Sequence, residues 1–81
     1  MTVNEAVILR VKELLQERHM TQYRLEQESG IQHGHMQWIM SGKSKTVTLS
    51  TVMLLAKGFG MSVTAFLDAP VFALDGLDIE G

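Results

Sequence analysis

The side chains best suited to chemistry in this sequence lie close together between residues 32 and 38. Their amide and imidazole groups can donate hydrogen bonds to the edges of nucleic acid bases or accept hydrogen bonds from them. Met36 and Ile39 are three residues apart, which places both on the inner face of a helix. The residues left on the outer face, where a recognition helix would meet base edges, are Gln32, His33, Gly34, Gln37 and Trp38.

The segment before this face carries the signals of another short helix and a tight turn. Thr21 is a good N-cap, and Leu25 is the expected buried residue of the helix that follows. Gly30 can take the left-handed backbone conformation at the helix end without strain, and Ile31 is expected to fill the corner between the helices. Two short helices joined at a glycine turn predict a helix-turn-helix, a unit that reads DNA.

The sequence gives no support for catalysis or metal binding. His33 and His35 are two residues apart on a helix, so they point to different faces, and no cysteine or carboxylate cluster completes a coordination shell. There is no Ser-His-Asp or Cys-His set and no phosphate-binding glycine loop, since we assign every glycine to a turn or a cap. We therefore expect no enzyme activity, no metal and no cofactor.

Composition sets limits on size and location. The 81 residues make one domain, and the absence of cysteine excludes a disulfide framework. The amino-terminal residues show no cationic start followed by a long apolar block, and no apolar run approaches the roughly 18 residues of a membrane span. We therefore expect a cytoplasmic protein with no membrane partner.

The charges are distributed unevenly along the chain. The net charge of −2 alone argues against a nucleic acid partner, because basic residues normally supply much of the affinity. The cations between the first helix and the loop after the recognition helix are Arg10, Lys12, Arg18, Arg24, Lys43 and Lys45. The acids of the tail are Asp68, Asp75, Asp78 and Glu80. An acidic tail held away from DNA would lower the net charge without neutralising the binding face.

Hydrophobic spacing predicts an all-α fold, a compact domain of five helices with a short C-terminal tail. The first helix is expected from Val3 to Arg18, the motif forms helices two and three, and the fifth helix runs from Ser62 to about Leu67. Thr48 is the expected cap of helix four. The residues that helix four is expected to bury are Leu49, Val52, Leu55, Ala56 and Phe59. We divide the chain into a DNA-binding domain, residues 1–69, and a tail, residues 70–81.

An ordered series of short motifs runs along nearly the whole chain. The motifs are RVKEL at 10–14, the Thr21-Gln22 pair, the Ser29-Gly30-Ile31 turn, Ser41-Gly42-Lys43, LSTV at 49–52, LAK at 55–57, GMS at 60–62 and Phe66-Leu67. With this series the sequence resembles the Cro/CI-type helix-turn-helix repressors, also called the XRE family, whose fold is lambda-repressor-like. Glycines in the turn, after the recognition helix and after helix four stand at the spacing of that family.

The resemblance implies which residues contact the DNA backbone. Gln22 stands at the phosphate-contacting position of the family, and we expect Thr21, beside it at the amino end of helix two, to contact phosphate as well. Lys43 and Lys45 follow the recognition helix where relatives touch phosphate. The plainer alternatives are an exposed glutamine and solvated loop lysines.

The resemblance also implies base-reading positions, and here the sequence departs from the family. His33 occupies one such position, where a ring nitrogen can donate to a guanine or adenine acceptor. Gly34 offers no side chain at the second, and Trp38 at the third can equally cover the helix or contact a protein. Glu26 replaces a small alanine at the helix crossing, so we expect the helices to splay slightly or the carboxylate to turn outward.

The residues after Pro70 are too apolar for a plain solvated tail. We expect them to dock either on the core of the same chain or on a second copy, and we favour the second copy because a two-fold operator requires a dimer. The residues of the expected dimer contact are Phe66, Leu67, Val71, Phe72 and Leu74.

These features together predict a sequence-specific DNA-binding transcriptional regulator. We expect a repressor that binds double-stranded DNA as a homodimer and reads the major groove with the helix Gln32–Ser41. Two alternatives stay open: the antitoxin of a toxin-antitoxin pair with the same fold, and a protein-interaction module that no longer binds DNA.

Overall fold

Residues 1–79 are described by a computed structural model, and within them the chain is all-helical, with no β strand. The α helices are α1 (Val3–Glu17), α2 (Gln22–Ser29), α3 (His33–Ser41), α4 (Leu49–Gly58) and α5 (Val63–Leu67). Short 3-10 turns follow at Pro70–Phe72 and Leu74–Gly76. The predicted all-α fold of five helices is confirmed. Glu80 of the predicted acidic tail lies outside the described residues.

Hydroxyl side chains determine where most of these helices begin. Thr2, Thr21, Thr48 and Ser62 each accept a hydrogen bond from the backbone N–H three residues later, at 3.0 to 3.1 Å. At α1 the bond is reciprocal, because the backbone N–H of Thr2 donates to the Glu5 carboxylate at 2.7 Å and lowers the pKa of Glu5 from its ordinary value. Each cap supplies a partner for an amide that a helix start leaves unpaired.

The hydrophobic core draws on all five helices. Its buried members are Val7, Val11, Leu14, Leu25, Ile31, Met36, Ile39, Val52, Leu55, Ala56, Phe59 and Phe66. The expectation that Leu49 is buried is wrong, because this residue is exposed at the first position of α4. The buried stripe of that helix begins only at Thr51 and Val52.

α4 approaches α2 closely at Gly58, the last residue of α4. A Cβ atom at this position would lie 2.7 Å from Leu25 Cδ1 and 2.9 Å from Ser29 Cβ, both on α2. These distances are shorter than van der Waals contact, so α2 and α4 can approach this closely only over a glycine. The assignment of every glycine to a turn or a cap was therefore wrong for Gly58, whose role is packing.

Two of the six cations that the sequence interpretation grouped near the binding face donate hydrogen bonds to the C-terminal ends of other helices. Arg10 is buried, and its guanidinium donates to the carbonyls of Phe66 at 2.7 Å and Ala65 at 3.0 Å. Arg18 donates to the carbonyl of Phe59 and lies 5.9 Å from the centroid of that ring. The carbonyls of Phe66 and Phe59 lie at the C-terminal ends of α5 and α4, where a helix leaves carbonyls without a partner of its own. The carbonyl of Ala65 also accepts the backbone N–H of Asp68 at 3.2 Å. Both guanidinium groups thus bond within their own chain, and Arg10 is buried while Arg18 is exposed.

The tail returns to the beginning of its own chain. Phe72 is partly buried, with its ring centroid 6.1 Å from that of Phe66. Further on, the backbone N–H of Asp78 donates to the carbonyl of Met1 at 2.7 Å, and Asp78 forms a parallel bridge with Thr2. Residues 70–79 therefore cover the core beside α5 and the start of α1.

The expected dimer residues divide into two groups. Phe66 is fully buried within its own chain, so its side chain does not reach a second copy, and its inclusion in the dimer contact was wrong. Leu67 and Leu74 are exposed, and Val71 and Phe72 are half-buried. Of the five expected dimer residues, these four keep side-chain surface that a partner could contact.

Gly58 and Gly34 form a matched pair for testing the packing of α2 against α4. Gly58→Ala should lower the free energy of unfolding by about 1–3 kcal/mol, because the added methyl group overpacks a closed contact. A Cβ at Gly34 meets nothing within 4 Å. Gly34→Ala should therefore leave stability unchanged or raise it by up to about 1 kcal/mol, through better helix propensity. Chemical denaturation measures both, and equal effects would contradict the close contact at Gly58.

Candidate nucleic-acid interface

The turn between α2 and α3 is built as the sequence predicts. Gly30 ends α2 in the left-handed conformation, with φ +77°, and Ile31 is buried in the corner. Ser29 is buried beside them, and its hydroxyl accepts the backbone N–H of Ile31 at 3.2 Å. The sequence interpretation missed this role of Ser29, although a serine directly before a turn glycine commonly bonds to nearby backbone.

The outer face of α3 is open to solvent at every predicted base-reading position. The exposed residues of this face are His33, Gly34, Gln37 and Trp38. The side chain of Trp38 is large and 52% exposed, so its indole ring forms much of the surface. Gln32 is also exposed but precedes the helix as its N-cap, so α3 begins one residue later than predicted. Met36 and Ile39 are buried on the inner face, as predicted.

Glu26 does not turn its carboxylate outward. Its side chain is 9% exposed and lies between α2 and α3. His33 Nδ1 is 3.0 Å from each carboxylate oxygen, and Gln22 Nε2 donates to Oε2 at 3.2 Å. Burying a carboxylate is costly unless it is hydrogen-bonded, and these two partners meet that requirement. Of the two alternatives expected for Glu26, the outward carboxylate is therefore wrong, and the slight splaying of the helices stays a prediction.

The hydrogen bonds of Glu26 continue onto the outer face of α3. His33 Nε2 lies 3.3 Å from Gln37 Nε2, one helical turn further along α3. Gln22, Glu26, His33 and Gln37 thus form one connected set of side chains, which we call the Glu26 network. It joins a predicted phosphate contact to two predicted base-reading positions.

The loop that carries Lys43 and Lys45 is held by its own short hydrogen bonds. Gly42 ends α3 with φ +74°, and the Ser41 hydroxyl accepts the backbone N–H of Lys43 at 3.3 Å. The Ser44 hydroxyl donates to the carbonyl of Thr46 at 2.8 Å. Both lysine side chains are exposed, and among residues 1–79 neither forms an ion pair with a carboxylate. Arg24, by contrast, pairs with Glu28 at 2.9 Å.

Asn4 is another residue behind this face whose role the sequence interpretation missed. It is almost fully buried, and its side-chain amide donates to the carbonyl of Ile39 in α3 at 3.1 Å. Its backbone N–H donates to the carbonyl of Lys45 at 3.2 Å. One residue of α1 thereby fixes the lysine loop relative to the outer face of α3. A polar residue one position after a helix start gives little sequence signal of such a role.

Comparison with models of protein families finds a match to the Cro/C1-type HTH DNA-binding domain over residues 10–70, well over half of the chain. The chain belongs to this family. The matched region contains α2, α3 and the lysine loop completely. The comparisons with curated proteins and with solved structures give no match.

Membership in the Cro/C1-type family makes the protein a DNA-binding regulator. In residues 1–79 no helix has both the length and the apolar character needed to cross a bilayer. The same residues contain no cluster of three or more His, Cys, Asp or Glu side chains that could hold a metal ion. His33, one of the two histidines weighed above as metal ligands, is hydrogen-bonded to the carboxylate of Glu26.

Replacing Asn4 tests whether this Cro/C1-type domain depends on the side-chain link from α1 to α3. Asn4→Ala should lower the free energy of unfolding by about 1–3 kcal/mol, because a buried hydrogen bond is lost. Gln16→Ala, which removes an exposed amide from the same helix, should change it by less than about 0.5 kcal/mol. Hydrogen exchange should also become faster at the C-terminal end of α3, residues 39–42, for the first variant only, because the lost bond ends on the carbonyl of Ile39. Unchanged exchange there would contradict the role of the Asn4 side chain.

Proposed function

We propose that this Cro/C1-type domain is a sequence-specific transcriptional regulator, a repressor, that reads the major groove with α3. The observation that carries the proposal is the exposed outer face of α3 beside a lysine loop held in place by Asn4. Base edges then face Gln32, His33, Gln37 and Trp38, while the loop reaches the flanking phosphates. Cytoplasmic location follows from access to DNA.

The charge distribution supports this orientation despite the negative net charge. Lys43 and Lys45 stand free of the carboxylates of residues 1–79, whereas Arg10 and Arg18 are used within the fold. Two phosphate contacts per subunit are few, so the affinity at physiological salt depends on base contacts and on a second subunit as well. The exposed hydroxyl of Thr21 and the amide of Gln22, at the amino end of α2, add neutral donors for the backbone.

A two-fold dimer completes the proposal. An operator with two half-sites about one helical turn apart requires two copies of α3 at that spacing. Leu74 is 75% exposed and Leu67 is 39% exposed, on the side of α5 and the tail. These two exposed leucines are accessible for a contact with a second copy.

The lysine loop is tested by the salt dependence of binding to duplex DNA. Lys43→Ala and Lys45→Ala should each weaken binding to all sequences alike and reduce the slope of log affinity against log salt by about one. Lys57→Ala removes the same charge from α4 and should leave the slope unchanged. Equal slopes for all three variants would place the phosphate contacts elsewhere, and a parent chain that binds no duplex at low salt would favour the protein-interaction module.

The dimer contact is tested with charges placed on the exposed leucines. Leu67→Glu combined with Leu74→Glu should yield a folded monomer with weaker operator binding, because charges at the centre of an apolar contact oppose association. Leu9→Glu places a charge on an exposed leucine of α1, at 46% between the exposures of Leu67 and Leu74, and should leave association unchanged. Analytical ultracentrifugation distinguishes these outcomes. A double variant that still sediments as a dimer would place the interface elsewhere.

A further inference from the structure

The Glu26 network fixes the position of one proton on His33. An ionised carboxylate can only accept hydrogen bonds, and both oxygens of Glu26 lie 3.0 Å from His33 Nδ1. The proton of the neutral imidazole therefore resides on Nδ1. The hydrogen bond made at one ring nitrogen decides the state of the other, so Nε2 carries a lone pair.

The state of Nε2 in turn determines the orientation of the Gln37 amide. A lone pair accepts a hydrogen bond, and Gln37 Nε2 is the group that lies 3.3 Å away. One N–H of the amide is thus directed to the ring, while its other N–H and its carbonyl oxygen remain free. His33 itself has no ring nitrogen left for a base, which revises the sequence-based assignment of His33 as a direct donor.

The free groups of Gln37 match one base in particular. In the major groove, adenine presents the N7 acceptor next to the N6 amino donor, and a glutamine amide with one free N–H and a free carbonyl satisfies both. We propose that Glu26 is a positioning residue that, through His33, sets the Gln37 amide to read adenine. This inference rests on the proposed function, in which α3 lies in the major groove.

Removing the carboxylate should change the base that is read. Without Glu26, His33 can carry its proton on Nε2, and the ring then donates to the Gln37 carbonyl oxygen. The carbonyl oxygen then has one lone pair engaged by the ring while both N–H groups become free, so the amide gains donors that suit the N7 and O6 acceptors of guanine. The network predicts a shift from adenine toward guanine at one position of each half-site, rather than a uniform loss of affinity.

The state of the ring can be measured without DNA. At about pH 8, where an ordinary histidine is neutral, a long-range ¹H–¹⁵N spectrum of the parent should show His33 protonated on Nδ1 and not on Nε2. Glu26→Ala should abolish that preference. Glu28→Ala is the matched control, because it removes the same charge from the same helix but from a carboxylate that pairs with Arg24. A parent ring protonated on Nε2 overturns the proposal.

The base preference is measured by selection from a randomised duplex library long enough for two half-sites. The parent and Glu28→Ala should select adenine at one position per half-site, and Gln37→Ala should lose that preference by about tenfold. Glu26→Ala should shift the same position toward guanine. Glu26→Gln should retain adenine, because its carbonyl still accepts the Nδ1 proton. His33→Ala, at a side chain that is 69% exposed, should weaken the same preference without depending on the buried site.

The outcomes separate this inference from the function on which it rests. Selection of adenine by Glu26→Ala and His33→Ala as strongly as by the parent overturns the role of the network and leaves DNA reading intact. If Gln37→Ala loses its preference at one base position and neither Glu26→Ala nor His33→Ala changes the preference at that position, the role of the network is likewise overturned. A parent that selects no sequence at all overturns both the inference and the proposed function.

Discussion

The close approach of α2 to α4 over Gly58 is the constraint on which the interface depends. Leu25 and Ser29 lie directly against this glycine, and Ser29 also bonds to the first residue of the turn that leads to α3. A side chain at residue 58 would push α2 away from the core, and the turn and α3 would move with it. The direction of the outer face of α3 is thus set by a contact on the opposite side of α2.

Buried polar side chains then connect the elements that this contact brings together. Asn4 joins α1 to α3 and to the lysine loop, Arg10 joins α1 to α5, and Glu26 joins α2 to α3. Within residues 1–79 no buried side-chain nitrogen or oxygen lacks a partner. A half-satisfied polar network is less stable than an apolar core. Because every buried polar side chain here is paired, these hydrogen bonds can hold the helices of a small domain in fixed relative orientations.

The sequence predicted the elements but not the connections between them. Thr21, Gly30 and Ile31 act locally, so caps, turn and inner face followed from residue type and spacing. Asn4 and Glu26 act on partners far along the chain or on another helix, and a single sequence does not show which polar residue becomes buried. Gly58 was missed for the same reason, since a packing glycine and a cap glycine have the same local signature. The family match over residues 10–70 agrees with the helix-turn-helix that these local signals predicted.

Titration of the ¹⁵N-labelled protein with duplex DNA carrying its selected site is the most direct test of the central claim, that α3 and the lysine loop form one DNA-binding surface. Amide shifts should change at the amino end of α2, along residues 32–38 and in residues 43–45, and should stay unchanged on the exposed face of α1 around Leu9. Changes centred on α1 or on the exposed residues of α4, with α3 unaffected, would contradict the account.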